Sequence, residues 1–313
     1  MLIQWSIVLA GALFVLVKGA RMFIDSASQI GSHFGMSQFV IGVLIVGMGT
    51  SLPELASSLA GVLRGANEIA VANAVGSNIT NILLIIGILA FFGGKIIIKQ
   101  ELIKTELPIF FIATVHFIAV VIDGRVDRIE SLLLLGTFSA YVWYLMVESS
   151  ETKRETIVKK EINKKPPIKA ILLTIFSLGA ILIGASYTID MAVNIATALS
   201  VPIGLISITA IAIGTSLPEL FVSIQAIKSK QTEMAIGNIF GSNAFNMLVV
   251  VGLPGLIMPL VAGEVVMELG LGIMVAASAI LFVNGLARQI MRWEGLMMLI
   301  FFVFFLVKLV AFV

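Results

Sequence analysis

Long apolar stretches alternate with short polar or glycine-rich breaks along the whole chain, and this pattern predicts ten helices. We place them near residues 2–22, 38–64, 69–93, 103–122, 129–148, 169–197, 203–227, 233–261, 264–284 and 293–312. Each is about 20 residues long or longer, which is the length that an α-helix needs to cross a bilayer. The sequence therefore predicts an all-α polytopic membrane protein with ten transmembrane helices.

Composition supports this fold class and excludes several others. Hydrophobic residues make up 59% of the 313 residues and charged residues only 12%, about half the charge of a soluble domain. The net charge of +2 gives no basic field for nucleic acid. Because Cys is absent, thiolate metal sites and Cys nucleophiles are excluded. With only His33 and His116 and no Ser/His/Asp arrangement, an intramembrane enzyme is disfavoured.

The two halves of the chain repeat at a constant offset of 165 residues. Gly-Thr-Ser-Leu-Pro-Glu at 49–54 recurs at 214–219, and Asn73, Gly76-Ser77-Asn78 and Asn81 recur as Asn238, Gly241-Ser242-Asn243 and Asn246. A charged linker, 149–168, separates a first five-helix repeat, 1–148, from a second, 169–313. Because five is an odd number of crossings, the second repeat is expected to be inverted, as in many secondary transporters.

Lys and Arg residues predict the orientation in the membrane. If the 149–168 linker is cytoplasmic, fourteen Lys and Arg residues lie in inside loops or at the adjoining helix ends, whereas only Arg64, Arg125 and Arg128 lie on the outside. Because positive residues accumulate on the cytoplasmic side, we expect both termini outside and the protein in the cell membrane. The expected surroundings are the lipid bilayer, with no nucleic acid and no obligate protein partner.

Glu54 and Glu219 occupy equivalent places inside apolar helices. An ionisable residue at membrane depth costs about 2.5–3.5 kcal/mol, so it is expected to face a cavity or a partner. Pro53 and Pro218 interrupt the backbone hydrogen bonding just before each carboxylate, which predicts a broken helix with free carbonyl oxygens. Two carboxylates near one centre predict a bound cation, although a hydrogen-bonded pair of protonated structural acids is an alternative.

Further oxygen-bearing side chains accompany both carboxylates. Thr50 and Thr215 lie four residues before them, and Asn73, Ser77 and Asn81 share one helical face. Asn238, Ser242 and Asn246 repeat that face in the second half. Such oxygens suit Ca²⁺ and Na⁺, and the lack of nearby His or Cys disfavours zinc or copper. Polar contacts that merely hold helices together are the alternative.

These paired motifs resemble the two alpha repeats of the cation/calcium antiporters, specifically the sodium/calcium exchanger branch. The resemblance implies a ten-helix inverted-repeat antiporter that exchanges Na⁺ for Ca²⁺ by alternating access, with helices one and six sliding across the other eight. It implies no cofactor, and Ca²⁺ and Na⁺ are the transported ions. The implied metal ligands are Glu54, Glu219, Thr50, Thr215, Ser51, Ser216, Asn73, Asn238, Ser77, Ser242, Asn81 and Asn246, with the carbonyls of Gly47 and Ala212.

Asn246 stands where some archaeal and potassium-dependent members of the family carry Asp, so the resemblance argues against a K⁺ requirement.

Two alternatives to Na⁺/Ca²⁺ exchange remain open. An H⁺/Ca²⁺ exchanger is the first alternative, although such exchangers typically carry a Gly-Asn-x-x-Glu arrangement. A passive cation channel is the second, and its pore elements usually repeat around an axis along the pore rather than as an inverted pair.

Overall fold

A computed structural model describes residues 2–98, 100–156, 168–200 and 214–312, with all side chains except those of 100–105 and 148–156. Within these ranges the chain forms ten helices. They are α1 (Leu2–Phe34), α2 (Gln38–Leu63), α3 (Ile69–Gly93), α4 (Gln100–Val121), α5 (Arg128–Thr156), α6 (Ile168–Ala198), α7 (Leu217–Lys228), α8 (Thr232–Ile257), α9 (Val266–Leu286) and α10 (Arg292–Phe312). All of them except α4 and α7 meet the length and hydropathy of a membrane span within the described residues. The predicted all-α membrane fold is confirmed.

Helix α1 is twelve residues longer than predicted, because it ends at Phe34 and not near residue 22. The charged residues near its predicted end lie on its exposed face, whereas Phe23, Ile24 and Ala27 continue a buried face beyond residue 22. That face packs in one cluster with Ile181 of α6. Tertiary burial therefore extends the helix through a segment whose average polarity indicates an end.

Helix α5 also continues past its predicted end near residue 148 and reaches Thr156. The Glu, Lys and Arg residues of this segment are good helix formers that need no apolar surroundings. The first part of the predicted 149–168 linker is therefore helical. Helix α8 ends at Ile257, four residues before its predicted end, and the start of the predicted 203–227 helix lies outside the described residues.

The helices pack as two related sets around α3 and α8, which are the most buried spans among the described residues. The first half of α2 packs against α8, the end of α3 packs against α10, and the end of α8 packs against α5 in the equivalent way. Helices α1 and α6 pack chiefly against each other at the edge of this core. The inverted repeat is thus visible in the packing.

Two short antiparallel strand pairs, which the sequence analysis did not predict, close opposite ends of the core. Strand β1 (Ile96–Ile97) pairs with β4 (Gln289–Ile290), and β2 (Arg125–Val126) pairs with β3 (Leu260–Val261). The repeat offset of 165 converts the aligned pair Ile96 and Ile290 into Val261 and Arg125, which are also aligned. Each pair joins two loops that the ten-helix topology places on the same side of the membrane.

Candidate cation-binding site

Glu54 and Glu219 each lie near the start of a half-helix in the middle of the protein. Helix α2 is interrupted at Ser51, with φ −88° and ψ 8°, and resumes at Leu52 with Pro53 in its first turn. Ser216 has nearly the same conformation, φ −90° and ψ 7°, before α7. Each Glu therefore lies in the first turn of a helix, where the helix dipole favours negative charge. The predicted break before each carboxylate is present.

Both carboxylates are fully buried, with 0% of either side chain exposed. Ser51 donates a hydrogen bond from its hydroxyl to Glu219 Oε1 over 2.9 Å. Because Ser51 lies three residues before Glu54, this bond joins the two half-helices at their broken ends. The carboxylate of the second repeat is thus held directly against the helix break of the first.

Matching hydroxyl pairs connect the two repeats on both sides of the carboxylates. Thr50 Oγ1 lies 3.5 Å from Ser242 Oγ, and Thr215 Oγ1 lies 3.5 Å from Ser77 Oγ. The repeat offset exchanges these two pairs, so these two contacts follow the symmetry of the fold. Thr50 Oγ1 also lies 3.2 Å from Asn238 Oδ1. The Gly47 carbonyl accepts a bond of 3.2 Å from the Ser242 hydroxyl, which places this predicted carbonyl beside the same group.

Asn73 and Asn238 form hydrogen bonds to the half-helices that carry the carboxylates. Asn73 Nδ2 donates to the backbone oxygen of Glu54 over 2.9 Å and to Ser58 Oγ over 3.0 Å. Asn238 Nδ2 makes the corresponding bonds to the Glu219 backbone over 3.3 Å and to Ser223 Oγ over 2.8 Å. Ser58 and Ser223 are not among the predicted ligands, although they are 165 residues apart and follow the repeat.

Asn81 and Asn246 differ in their contacts, although both are fully buried. Asn81 Nδ2 donates to Asn243 Oδ1 over 3.1 Å. Neither amide atom of Asn246 has a hydrogen-bond partner in the described part of the chain, and its counterpart contact with Asn78 is missing there. Asn243 and Asn78 belong to the repeated Gly-Ser-Asn blocks, so the repeat already marked them as paired positions. The twofold symmetry is broken at these residues, as it is at Ser216, whose hydroxyl has no described partner although its counterpart Ser51 bonds to Glu219.

Most of the carboxylate oxygens receive no hydrogen bond from the described residues. Three of their four oxygens, Glu54 Oε1 and Oε2 and Glu219 Oε2, have no hydrogen-bond donor among the described residues. Ser216 Oγ and Asn81 Oδ1 are also buried there without a partner. Leaving such groups unpaired is unfavourable. Within the described ranges no group of three His, Cys, Asp or Glu side chains converges, so the centre consists of two carboxylates with neutral oxygens.

Thirteen of the fourteen predicted ligands lie in the described residues. Contacts across the repeats join Glu219, Ser51, Thr50, Thr215, Ser77, Ser242, Asn238 and Gly47. Asn73 lies beside Glu54 and makes its described bonds within the first repeat. Ala212 lies outside the described residues.

Comparison with known proteins agrees with this geometry. The family described as "Sodium/calcium exchanger protein" matches residues 5–147 and again residues 169–311. The chain belongs to this family. The sodium/calcium exchanger MaX1 of Methanosarcina acetivorans is 32% identical over 98% of both chains. The inner membrane protein YrbG of Escherichia coli is 33% identical over 83% of this chain and 81% of its own length.

A solved structure shows the same fold over the whole chain. The sodium-calcium exchanger NCX_Mj, soaked with zero Na⁺ and Ca²⁺, superimposes with a TM-score of 0.84 at 30% identity. The alignment covers 99% of this chain and 100% of that one. The resemblance seen in the two sequence repeats is therefore confirmed for both sequence family and fold.

Proposed function

We propose that this protein is a secondary antiporter that exchanges Na⁺ for Ca²⁺ across the membrane by alternating access. The observation that carries this proposal is the pair of fully buried carboxylates at two helix breaks, three of whose oxygens have no described protein donor. Family membership and the named exchangers among its relatives support the same ions. The ions are substrates, and the proposal involves no chemical transformation.

The proposed ligands follow from the charge and the oxygen chemistry of the site. Ca²⁺ takes six to eight oxygen ligands, and Glu54 with Glu219 supply the two negative charges that balance it. The Thr, Ser and Asn oxygens around them and the Gly47 carbonyl complete the proposed set, together with Ala212 by its place in the repeat. Because these oxygens are hard and mostly neutral, the same set suits Na⁺ as well.

Unequal packing of α1 and α6 supports a path to one side of the membrane. Helix α1 packs along α7, Leu217–Lys228. Helix α6 makes no comparable packing against Leu52–Leu63, the equivalent part of α2. We propose that α1 closes the cytoplasmic side in this conformation and that ions enter from outside. Sliding of α1 and α6 past the core, as the family resemblance suggests, would then exchange the two sides.

The proposed location is the cell membrane, with both termini outside and the 149–168 linker in the cytoplasm between repeats 1–148 and 169–313. The excess of Lys and Arg in the loops on one side supports this orientation. Because the chain has no Cys, single Cys variants can test it. We expect an impermeant maleimide to label Asp123→Cys in intact cells and to label Lys95→Cys only after permeabilisation. The reverse pattern would invert the orientation.

Transport is tested with purified protein in Na⁺-loaded proteoliposomes. We expect uptake of radioactive Ca²⁺ that requires internal Na⁺ and survives a proton ionophore under clamped voltage. Loss of uptake with the ionophore would indicate an H⁺/Ca²⁺ exchanger, and rapid uptake without a Na⁺ gradient would indicate a channel. Asp190→Asn is the matched control for the variants Glu54→Gln and Glu219→Gln, because Asp190 is acidic but exposed on α6. We expect only a mild loss of transport in this control.

A further inference from the structure

Helix α1 carries three charged side chains on the face that points away from the protein. Lys18, Arg21 and Asp25 are all exposed and follow one another at intervals of three and four residues, so they share one face. The buried residues of α1, such as Leu16, Phe23 and Ala27, occupy the opposite face. Lys18 lies at the middle of this 33-residue helix, so the charged face runs along the second half of α1 towards its end at Phe34.

The two cations on this face have no ionic partner among the described residues. Lys18 Nζ lies 5.8 Å from the centre of the Phe14 ring, and neither Lys18 nor Arg21 forms an ion pair there. The exposed neighbours are apolar, with Phe14 64%, Val17 41% and Met22 38% exposed, as expected for a surface that contacts lipid. An unpaired cation on a surface that contacts lipid is unfavourable unless an anion reaches it.

The order of the charges identifies what would neutralise them. A phospholipid has its acyl chains at the bilayer centre, its phosphate nearer the surface and any ammonium group outermost. Along α1 the exposed Phe14 comes first, then the cations Lys18 and Arg21, and then the anion Asp25 about 6 Å beyond Arg21 at 1.5 Å per residue. The guanidinium group is suited to phosphate because it offers paired donors, and the carboxylate is suited to an ammonium group.

We propose that α1 binds a phospholipid with a primary ammonium headgroup, of the phosphatidylethanolamine type. The phosphate contacts Lys18 and Arg21, and the ammonium group contacts Asp25. Phosphatidylglycerol offers the phosphate but no cation for Asp25, and phosphatidylcholine offers a cation without hydrogen-bond donors. The site is distinct from the cation-binding centre, because its residues lie on the outer face of α1. Residues Ile183, Ser186 and Asp190 of α6 stand at the repeat positions, so only α1 carries the cations.

Native mass spectrometry of the full protein with each of these three lipids tests the proposal. We expect phosphatidylethanolamine to be retained in preference to the other two. In the double variant Lys18→Gln and Arg21→Gln its affinity should fall about 30-fold, because each cation near the surface contributes roughly a fivefold factor. Lys308→Gln is the matched control, since Lys308 also lies 5.8 Å from a Phe ring but has no second cation beside it.

A second variant separates the headgroup assignment from simple charge attraction and from misfolding. Asp25→Asn should lower the affinity for phosphatidylethanolamine roughly fivefold and leave or raise that for phosphatidylglycerol. Equal retention of the three lipids by the parent protein would overturn the proposal, as would unchanged retention in the double variant or an equal loss in Lys308→Gln. If the parent protein forms dimers that the double variant loses while it retains the lipid, a second copy of the chain covers this face and the proposal is overturned.

Discussion

Replacement of Gly241 by Ala tests whether the close packing of α2 on α8 positions the proposed cation ligands. A Cβ atom at Gly241 would lie 2.5 Å from the Val43 carbonyl oxygen and 2.7 Å from Val43 Cα. Both atoms belong to the backbone of α2, so no side-chain rotation relieves the contact. Because an ordinary contact begins at 3.4 Å, the two helices must separate by about 1 Å.

That separation acts directly on the site. The Gly47 carbonyl and the Ser242 hydroxyl are 3.2 Å apart, and a further 1 Å gives about 4 Å, which is beyond hydrogen-bond distance. The Thr50 contact with Asn238, also 3.2 Å, lies across the same interface. Loss of groups that orient metal ligands typically weakens metal binding about 10–100-fold, and overpacking destabilises a fold by about 1–3 kcal/mol.

We therefore expect Gly241→Ala to raise the Ca²⁺ concentration for half-maximal uptake into Na⁺-loaded proteoliposomes at least tenfold and to lower the melting temperature in detergent. Gly136→Ala is the control, since Gly136 is exposed on α5 and a Cβ there meets nothing within 4 Å. It should transport normally with equal or higher stability. A Gly241→Ala protein whose Ca²⁺ dependence overlays that of the parent would refute the packing argument.

Three further predictions concern individual groups. Glu54→Gln and Glu219→Gln should each abolish Ca²⁺ exchange, because they remove charge from a buried site where attraction to a divalent ion is strong; near-normal uptake by a well-expressed variant would contradict the ligand assignment. Gly184→Leu should slow exchange and leave Ca²⁺ affinity nearly unchanged, since an added Cβ already lies 3.0 Å from the Leu16 backbone of α1; loss of affinity at a normal maximal rate would argue against it. Asn246→Asp should make uptake more sensitive to pH or K⁺, because a third carboxylate needs a compensating cation, whereas the parent should need no K⁺. If the uptake profiles of the variant overlay those of the parent across a pH series with and without K⁺, position 246 does not set the charge of the site.

The sequence by itself determined the fold class, the inverted repeat and most of the residues of the candidate site. Apolar stretches long enough to span a bilayer have few alternative structures, because unpaired backbone groups cannot be exposed to lipid. Glu54 and Glu219 stood out because charge is costly in such segments, and the 165-residue offset paired every other candidate with its counterpart. Ser58 and Ser223 follow the same offset, but a serine in a membrane span does not carry the energetic cost that marks a charged residue as a candidate.

The tertiary structure decided what depends on contacts between distant segments. The predicted end of α1 lay near residue 22, yet Phe23 and Ile24 are buried in a cluster with residues of α2, α6, α7 and α8, and the helix continues to Phe34. The two strand pairs join segments more than 100 residues apart, and two-residue strands leave no periodic pattern. The different contacts of Asn81 and Asn246 were likewise hidden, because identical residues at equivalent positions acquire different partners only when the repeats pack unequally.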